Sequence, residues 1–186
     1  MQTAPGATTQ FAFVTTDIDR AVSHWVDGLG AGPFYRLEFP VTFGERQYRG
    51  KPAEDSIVVA LGFTGNTMIE IIQPTNDAPS VFQEVLREQG DLALHHVQPN
   101  IRPTSPGDYD AARARYEELR YDPALVMVLP GGGRCTIFDA RSRVGSFVEL
   151  SEFTADDCRG MEFMRAAHET WDGQRPIRDY AESATH

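Results

Sequence analysis

The chain contains 186 residues with a formal net charge of −10 at pH 7, so it is long enough to bury a core as one domain or as two fused modules. The acidic charge argues against a nucleic-acid partner, because affinity for a phosphate backbone depends on lysine and arginine, and small molecules are better-matched partners. The absence of a long apolar run and of a CxxC motif predicts a cytoplasmic protein with no membrane partner, in which Cys135 and Cys158 are packing thiols.

The first half of the chain predicts one strand, one helix and three more strands. Residues 1–9 are predicted to be flexible, and the first strand begins at Gln10. Asp17 is a good helix cap, and apolar residues recur after it at helical spacing until Gly30 ends the helix. Glycine, proline and charged residues then separate three strand-like runs, at residues 34–39, 56–63 and 67–72. Residues 10–74 therefore follow the order β-α-β-β-β.

The same order occurs again in the second half, after a predicted linker helix at residues 75–91. A strand over residues 92–101 leads to a helix that begins at Asp108 and is broken by Pro123. Three more strands follow, at residues 124–129, 134–139 and 146–153. Internal repetition is a strong guide to architecture, and it predicts a second βαβββ module over residues 92–153.

Residues 154–186 are predicted to form a C-terminal helix and tail. Along this helix Met161, Met164, His168 and Trp171 recur at helical spacing. We expect this stripe to pack over the domain or over a partner subunit, and a lid over a pocket is the less favoured alternative. His168 is accordingly interpreted as a packing histidine rather than as a metal ligand.

Polar residues open and close the two predicted modules in matching places. Gln10 opens the first module and His96 lies in the opening strand of the second. Glu70 and Glu149 each stand in an otherwise apolar strand that closes a module. An amide or imidazole at the start and a carboxylate at the end of each half predict a metal cup between two related halves.

The alternation of side chains along a strand separates the two adjacent histidines. His95 and His96 are predicted to point to opposite faces of the sheet. His96 shares its face with Gln98, Asn100 and Arg102, which suits a wet cavity and predicts these three residues as substrate contacts. His95 shares its face with apolar residues, so we expect it to have a structural role in helix packing.

The two glutamates allow a structural interpretation and a functional one. Either carboxylate alone is typical of a half-exposed strand residue. Two carboxylates in matching apolar settings need compensation, because an unpaired buried carboxylate costs several kcal/mol or becomes protonated. A divalent cation would compensate Glu70 and Glu149 together. One imidazole, two carboxylates and one amide oxygen are compatible with Zn, Ni, Co, Mn or Fe, and four protein donors leave positions open on an octahedral ion.

Two other segments attract functional interpretations. Arg46, Arg49 and Lys51 form a small basic cluster that could bind a carboxylate or a CoA phosphate, or could equally be an ordinary solvated loop. The glycine run at residues 131–133 lacks the Lys-Ser/Thr of a phosphate-binding loop and lies between two predicted strands. It is therefore predicted to be a hairpin turn.

Because of the order and repetition of these elements and polar residues, the sequence resembles the vicinal oxygen chelate superfamily. This superfamily includes glyoxalase I, methylmalonyl-CoA epimerase, extradiol dioxygenases and the fosfomycin and bleomycin resistance proteins. The resemblance rests on residues 11–19, 30–34, 69–72, 94–97 and 147–150. It implies an α+β fold in which two βαβββ modules form a curled mixed sheet around a central cavity. Carried over by position, it implies that Gln10, Glu70, His96 and Glu149 are ligands of a divalent metal.

The order of these ligands resembles that of glyoxalase I, where a glutamate ligand doubles as the base. The resemblance implies a metal-dependent lyase or isomerase that moves a proton next to a metal-bound carbonyl of a small substrate, with Glu149 as the base and Glu70 as the alternative. A metal-free, resistance-type binding protein remains open, because the amide of Gln10 is a weak ligand. A ring-cleaving dioxygenase is disfavoured, because the second module offers only His96 and Glu149 of the iron ligands such enzymes need. A homodimer is compatible with the resemblance.

Overall fold

The computed structural model describes residues 7–99 and 104–180. Its first module contains strand β1 (Thr8–Val14), helix α1 (Ile18–Leu29), strand β2 (Phe34–Phe39), the short strands β3 (Arg46–Tyr48) and β4 (Lys51–Pro52), strand β5 (Ile57–Thr64) and strand β6 (Thr67–Pro74). The predicted ends of α1 are confirmed, since Asp17 accepts a hydrogen bond from the backbone of Arg20 and Gly30 adopts the left-handed conformation. β1 begins two residues before the predicted start at Gln10.

Helix α2 (Val81–Gln89) links the two modules. The second module contains β7 (Ala93–Pro99), α3 (Pro106–Glu118), β8 (Asp122–Val128), β9 (Arg134–Asp139), the short helix α4 (Arg141–Val144) and β10 (Phe147–Ser151), and it is followed by α5 (Ala155–Glu169) and the short strand β11 (Ile177–Asp179). The glycine run is a hairpin turn as predicted, with the Leu129 N–H donating to the Gly133 carbonyl at 2.7 Å. No helix in residues 7–99 and 104–180 is long and apolar enough to cross a membrane.

The strands of the described residues form one mixed sheet, in the order β11-β2-β5-β6-β1-β7-β10-β9-β8-β3-β4. Each module contributes four neighbouring strands, and the two groups meet where β1 pairs antiparallel with β7. The opening and closing strands of each module pair in parallel, β1 with β6 and β7 with β10. The sheet curls without closing, so the predicted α+β fold of two βαβββ modules is confirmed.

Alternate residues of the central strands supply two separate cores. On the outer face, Val22 of α1 packs in one cluster with Ile71 of β6. On the inner face, Ile72 of the same strand belongs to a second cluster that includes Phe82 of α2. A third cluster joins Met164 of α5 to Met68 of β6. The inner face therefore lies between α2 and α5, and it is the face that carries the candidate site.

The hairpin of β3 and β4 connects the two modules. β3 pairs with β8, and the guanidinium of Arg46 donates to the Asp55 carbonyl and lies 3.7 Å from the Asp55 carboxylate. Arg49 forms ion pairs with Glu84 at 2.7 Å and with Asp139 at 2.8 Å. Arg46 therefore fits neither the substrate-binding interpretation nor the solvated-loop interpretation, because it is buried against Asp55. Arg49 is 38% exposed, and its ion pairs with acidic residues of the fold disfavour a substrate-binding role for it.

Replacing Arg46 by methionine is expected to lower the free energy of unfolding by about 3–5 kcal/mol, because it leaves a buried carboxylate without its partner. The side chains of Arg46 and Asp55 are only 2% and 1% exposed, and burial raises the pKa of Asp55. Urea unfolding measures the loss. Adding Asp55→Asn to this variant removes the unpaired buried carboxylate and should recover much of the lost free energy of unfolding. A single variant within about 1 kcal/mol of the original protein would contradict this account.

Candidate metal centre

Four polar side chains meet on the inner face of the sheet. Gln10, Glu70, His96 and Glu149 lie on β1, β6, β7 and β10, which are consecutive strands at the centre of the sheet. Ala12 of β1 pairs with Glu70 on one side and with His96 on the other, so the register sets these two residues on either side of β1. All four polar side chains line one cavity.

The nitrogen Nε2 of His96 lies at the centre of this group. It is 3.3 Å from Oε2 of Glu70 and 3.1 Å from Oε2 of Glu149. Gln10 donates from Nε2 to the same Glu70 oxygen at 2.6 Å, and its Nε2 lies 3.5 Å from Nε2 of His96. One potential ligand atom from each of Glu70, His96 and Glu149 lies within 4.8 Å of the others.

These separations fit a single small cation. Nitrogen and oxygen ligands of ions such as Zn²⁺ lie about 2.1 Å from the metal, so neighbouring ligands are roughly 3 Å apart at tetrahedral or octahedral angles. Gln10 adds a fourth donor once its amide turns to present oxygen, and amide orientation is set by the hydrogen-bond network. The donor set, one imidazole and two carboxylates with one amide, suits Zn, Mn, Fe, Co or Ni.

Burial and charge also favour a cation at this position. The side chains of His96, Glu70 and Glu149 are 1%, 14% and 12% exposed. Burial lowers the pKa of His96, but hydrogen bonds and charges from Glu149 and Glu70 outweigh burial and raise the pKa to about 9. Burial opposes ionisation of Glu149, yet its hydrogen bond with His96 keeps its pKa below the usual value. Two carboxylates beside at most one imidazolium leave a net negative charge that a divalent cation would neutralise.

Glu149 is oriented by its neighbours on the same side of the sheet. The amide of Gln98 donates to Oε1 of Glu149, and the Ser151 hydroxyl donates to the same oxygen at 2.6 Å. Gln98 also donates to the Ser151 hydroxyl at 3.2 Å and is almost fully buried. The geometry thus gives Gln98 a role in orienting Glu149, and its predicted substrate contact stays a prediction. Asn100 and Arg102, the other predicted substrate contacts, lie outside the described residues.

The prediction that His95 and His96 point to opposite faces is wrong. A bulge in the pairing of β7 with β1 lies at this point, where Ala12 pairs with His96 while Phe13 pairs with Leu94. The extra residue breaks the alternation, and Nδ1 of His95 lies 2.8 Å from Nδ1 of His96. His95 nevertheless has the predicted packing surroundings, because it is fully buried against aromatic side chains of α2 and β10.

The cavity above the four polar residues has a volume of about 190 Å³. α2 contributes Phe82 to its wall, and α5 contributes Met161 and Met164. The strands supply further apolar side chains, among them Leu37, Val59, Leu61, Met68, Ile137 and Phe153. The polar floor is therefore surrounded by an apolar wall, as is typical of small-molecule sites.

The methionine stripe of α5 packs over its own domain, as expected, and its first turns also cover the cavity. His168, farther along the stripe, is a packing histidine as predicted. Its Nδ1 donates to the Gly32 carbonyl at 2.5 Å, and its Nε2 accepts from the Gly65 backbone at 3.0 Å. The Trp171 ring lies where a side chain at Gly32 would otherwise project. α5 is thus attached to two loops of the first module.

Replacing His168 by leucine is expected to destabilise the protein by about 1–2 kcal/mol, because two hydrogen bonds to loop backbone are lost. The loss should concentrate in α5, which would show faster amide hydrogen exchange than the central strands. Hydrogen exchange followed by mass spectrometry resolves the two regions. Equal protection of α5 in the variant and the original protein would contradict this role for His168.

Three titratable residues of the cavity wall, Asp157, Tyr180 and Cys135, were not predicted as site residues. Asp157 carries the signal of a capping box with Thr154, which explains its place in the helix but not in the cavity. Tyr180 reaches the cavity from beyond β11, and no local sequence signal indicates this docking. Cys135 lies in the wall near Glu149, and burial together with the Glu149 charge holds the pKa of its thiol well above the usual value. Its thiol therefore stays protonated.

The structure combines an open, curled sheet of two βαβββ modules with a cluster of potential metal ligands between them. The sequence profile of the Glyoxalase/Bleomycin resistance protein/Dioxygenase superfamily matches residues 9–137, which is more than half of the chain. The chain belongs to this superfamily. The match includes Gln10, Glu70 and His96, whereas Glu149 lies beyond it.

Solved structures share this fold at low sequence identity. A hypothetical protein, BH1468 from Bacillus halodurans C-125, superposes with a TM-score of 0.58 at 15% identity, over 81% of this chain and 96% of its own. Methylmalonyl-CoA epimerase from Mycobacterium tuberculosis superposes with a TM-score of 0.53 at 16% identity, over 81% of this chain and 91% of its own. A single-residue variant of Streptomyces coelicolor methylmalonyl-CoA epimerase, in complex with 2-nitronate-propionyl-CoA, superposes with a TM-score of 0.54 at 19% identity. The superposition covers 82% of this chain and 96% of the epimerase chain. A comparison with curated proteins found no match.

Proposed function

We propose that the protein is a metal-dependent isomerase or lyase that moves a proton at the carbon next to a carbonyl group of a small organic substrate. The convergence of Glu70, His96 and Glu149 within 4.8 Å carries this proposal. A divalent cation bound by these residues and Gln10 would supply Lewis-acid polarisation of the carbonyl. Membership of a superfamily that includes epimerases supports an isomerase in general terms.

Glu149 is the proposed proton acceptor, and its surroundings support the assignment. Gln98 and Ser151 both donate hydrogen bonds to Oε1 of Glu149, and Oε2 of Glu149 is directed toward His96. A carboxylate held in one orientation can take a proton from a substrate carbon without the cost of reorganising in the transition state. Returning the proton from Glu149 to the neighbouring carbon gives isomerisation.

The apolar wall would help this chemistry by excluding water from the reacting carbon. Met161 and Met164 cover the cavity from α5, while Phe82 borders it from α2. In a site with little water, charges on Glu149 and Glu70 act on the substrate more strongly than they would in solution.

A metal-free binding protein is the second candidate, and one observation favours it. The nearest Gln10 atom to Glu70 is the amide nitrogen, which donates at 2.6 Å, and a protonated His96 can partly compensate both carboxylates without a metal. A dioxygenase is not proposed, because the candidate cluster in the described residues contains one imidazole donor where ring-cleaving enzymes need two.

Metal content separates the two candidates. Protein purified without added metal, and again after loading with Zn²⁺, Mn²⁺, Ni²⁺, Co²⁺ or Fe²⁺, is analysed by mass spectrometry of the elements. About one tightly bound divalent ion per chain after dialysis supports the enzyme. No retained ion under any loading condition supports the binding protein and rejects the proposed chemistry.

A further inference from the structure

We infer that the substrate of this site is an uncharged, largely apolar molecule about the size of one substituted six-membered ring. The inference rests on the proposed function and names the substrate class. It follows from three features of the cavity, namely its wall, its volume and the charge of its polar residues.

The wall would stabilise an apolar body above a single polar end. Polar donors and acceptors that line the cavity are concentrated at its floor, where Gln10, Glu70, His96 and Glu149 meet. The sides are built mainly from aliphatic side chains, aromatic rings and methionines, and Asp157 and Tyr180 are their polar residues. Removing apolar substrate surface from water against such a wall is favourable. A substrate with a carbonyl at one end and hydrocarbon elsewhere therefore matches both regions.

The volume restricts the part of the substrate that is enclosed. The cavity holds about 190 Å³. An engineered protein cavity of roughly 150 Å³ is known to accommodate benzene. A ring with one short carbonyl-bearing substituent, about ten non-hydrogen atoms in all, is thus the size that fills this space.

The charges disfavour an anionic substrate. Asp157 of α5 lines the cavity together with the two glutamates of the floor. One divalent cation would neutralise Glu70 and Glu149 and leave Asp157 to repel an anion. Arginines of the neighbouring hairpin are bound elsewhere, Arg46 by Asp55 and Arg49 by Glu84 and Asp139. A carboxylate or CoA phosphate entering the wall would lose its hydration next to a like charge.

A matched pair of probes tests this inference. 2-Hydroxyacetophenone and benzoylformate share a phenyl ring and a ketone, but only benzoylformate carries a carboxylate. Calorimetric titration of the metal-free and Zn²⁺-loaded protein should show that the neutral probe binds at least about tenfold more tightly than the anion in both forms. Tighter binding of benzoylformate or of propionyl-CoA, or no binding of the neutral probe, would overturn the inference. Because the metal-free form is included, failure of the metal proposal is separable from failure of this one.

Variants of Met161 provide the control. Met161→Arg introduces a cation into the wall and should shift the preference toward benzoylformate by about tenfold or more, while Met161→Leu keeps the apolar volume and should preserve the original preference. Circular dichroism verifies that both variants are folded. An unchanged preference in a folded Met161→Arg protein would also count against the inference, because it would place the bound ring away from α5.

A different observation assigns a role to His95, and this second inference also rests on the proposed metal site. We propose that His95 is a positioning residue that accepts a hydrogen bond from Nδ1 of His96. The two δ nitrogens are 2.8 Å apart, so one of them carries the hydrogen that lies between them. A metal-binding Nε2 on His96 needs the hydrogen on its own Nδ1, and His95 is then the acceptor that fixes the ring.

The surroundings of His95 hold it in place for this role. Its ring stacks on Phe147 with centroids 5.0 Å apart and lies 4.8 Å from the ring of Phe82. It is fully buried between these rings, so its position is fixed by packing. An imidazole fixed between two aromatic rings would reduce the freedom of His96 to rotate.

His95→Phe keeps the aromatic contacts and removes the acceptor, whereas His95→Asn offers an amide oxygen near the position of Nδ1. Competition with a chromophoric chelator should show Zn²⁺ affinity about 10–100-fold lower in His95→Phe and largely restored in His95→Asn. Nitrogen-15 NMR of His96 in the Zn²⁺-loaded protein should show the hydrogen on Nδ1. Unchanged affinity in folded His95→Phe, or the other tautomer, would overturn this role, while a wild-type protein that binds no Zn²⁺ would reject the metal site itself.

Discussion

Replacing Glu149 by glutamine is expected to slow proton exchange at the carbon next to a substrate carbonyl by about 10²–10⁴-fold, the usual contribution of a positioned general base. Glutamine keeps the shape of the side chain and can still accept a hydrogen bond from Ser151, but it cannot accept a proton from carbon. Deuterium exchange into 2-hydroxyacetophenone in D₂O, followed by proton NMR, measures this step with Zn²⁺-loaded protein. The measurement does not require the natural substrate.

Glu70→Gln is the matched control, because Glu70 is the other carboxylate of the cluster. Oε2 of Glu70 already receives the Gln10 amide and faces His96, so this residue is the weaker candidate for the base. Because Glu70 and Glu149 are both proposed Zn²⁺ ligands, both variants are compared at saturating Zn²⁺, and the Glu70 variant should lose less exchange than the Glu149 variant does. Loss of exchange in Glu70→Gln with retention in Glu149→Gln would move the base to Glu70, and full activity in both variants would reject carboxylate catalysis.

His96→Leu is expected to lower the affinity for Zn²⁺ by more than about 100-fold, because it removes the imidazole donor. This loss is larger than the loss typical of replacing a residue that only orients a ligand. Calorimetric titration at a fixed pH measures the affinity. Two carboxylates and one amide would remain, and without a nitrogen donor they form a poorer zinc site.

His168→Leu is a useful control for the His96 variant, because His168 lies on α5 and is bound to Gly32 and Gly65. It should leave Zn²⁺ affinity within about threefold of the original value, since it contacts none of the donor residues. If His96→Leu is folded and binds Zn²⁺ as tightly as the original protein does, the cluster described above is not the metal site.

The sequence predicted most of the fold and the candidate cluster because both depend on short-range periodicity. Alternation along single strands is enough to place Glu70 on the opposite face of the sheet from Ile71, and Glu149 on the opposite face from Val148. The signals for the start and end of α1, at Asp17 and Gly30, are also local. The repeated order of elements then indicated which strands are equivalent. Equivalent strands of repeated modules lie together in the sheet, which brings the polar residues onto one face.

The sequence failed where long-range pairing decides the structure. The bulge at His95 arises from the register between β7 and β1, and no residue near it signals an extra position. The docking of β3 onto β8 brings Arg49 to ion pairs with Glu84 and Asp139, which lie far from it in the chain. The contribution of Tyr180 to the cavity likewise depends on how the end of the chain returns to β2.

Four side chains from two related modules are proposed to bind one metal ion. Anomalous diffraction from crystals soaked in Zn²⁺, with data on either side of the zinc absorption edge, locates such an ion. One strong peak is expected about 2.0–2.2 Å from Nε2 of His96 and from carboxylate oxygens of Glu70 and Glu149, with Gln10 beside it. A soaked crystal with no peak between these residues, or with its strongest peak elsewhere, would show that they are not the metal site.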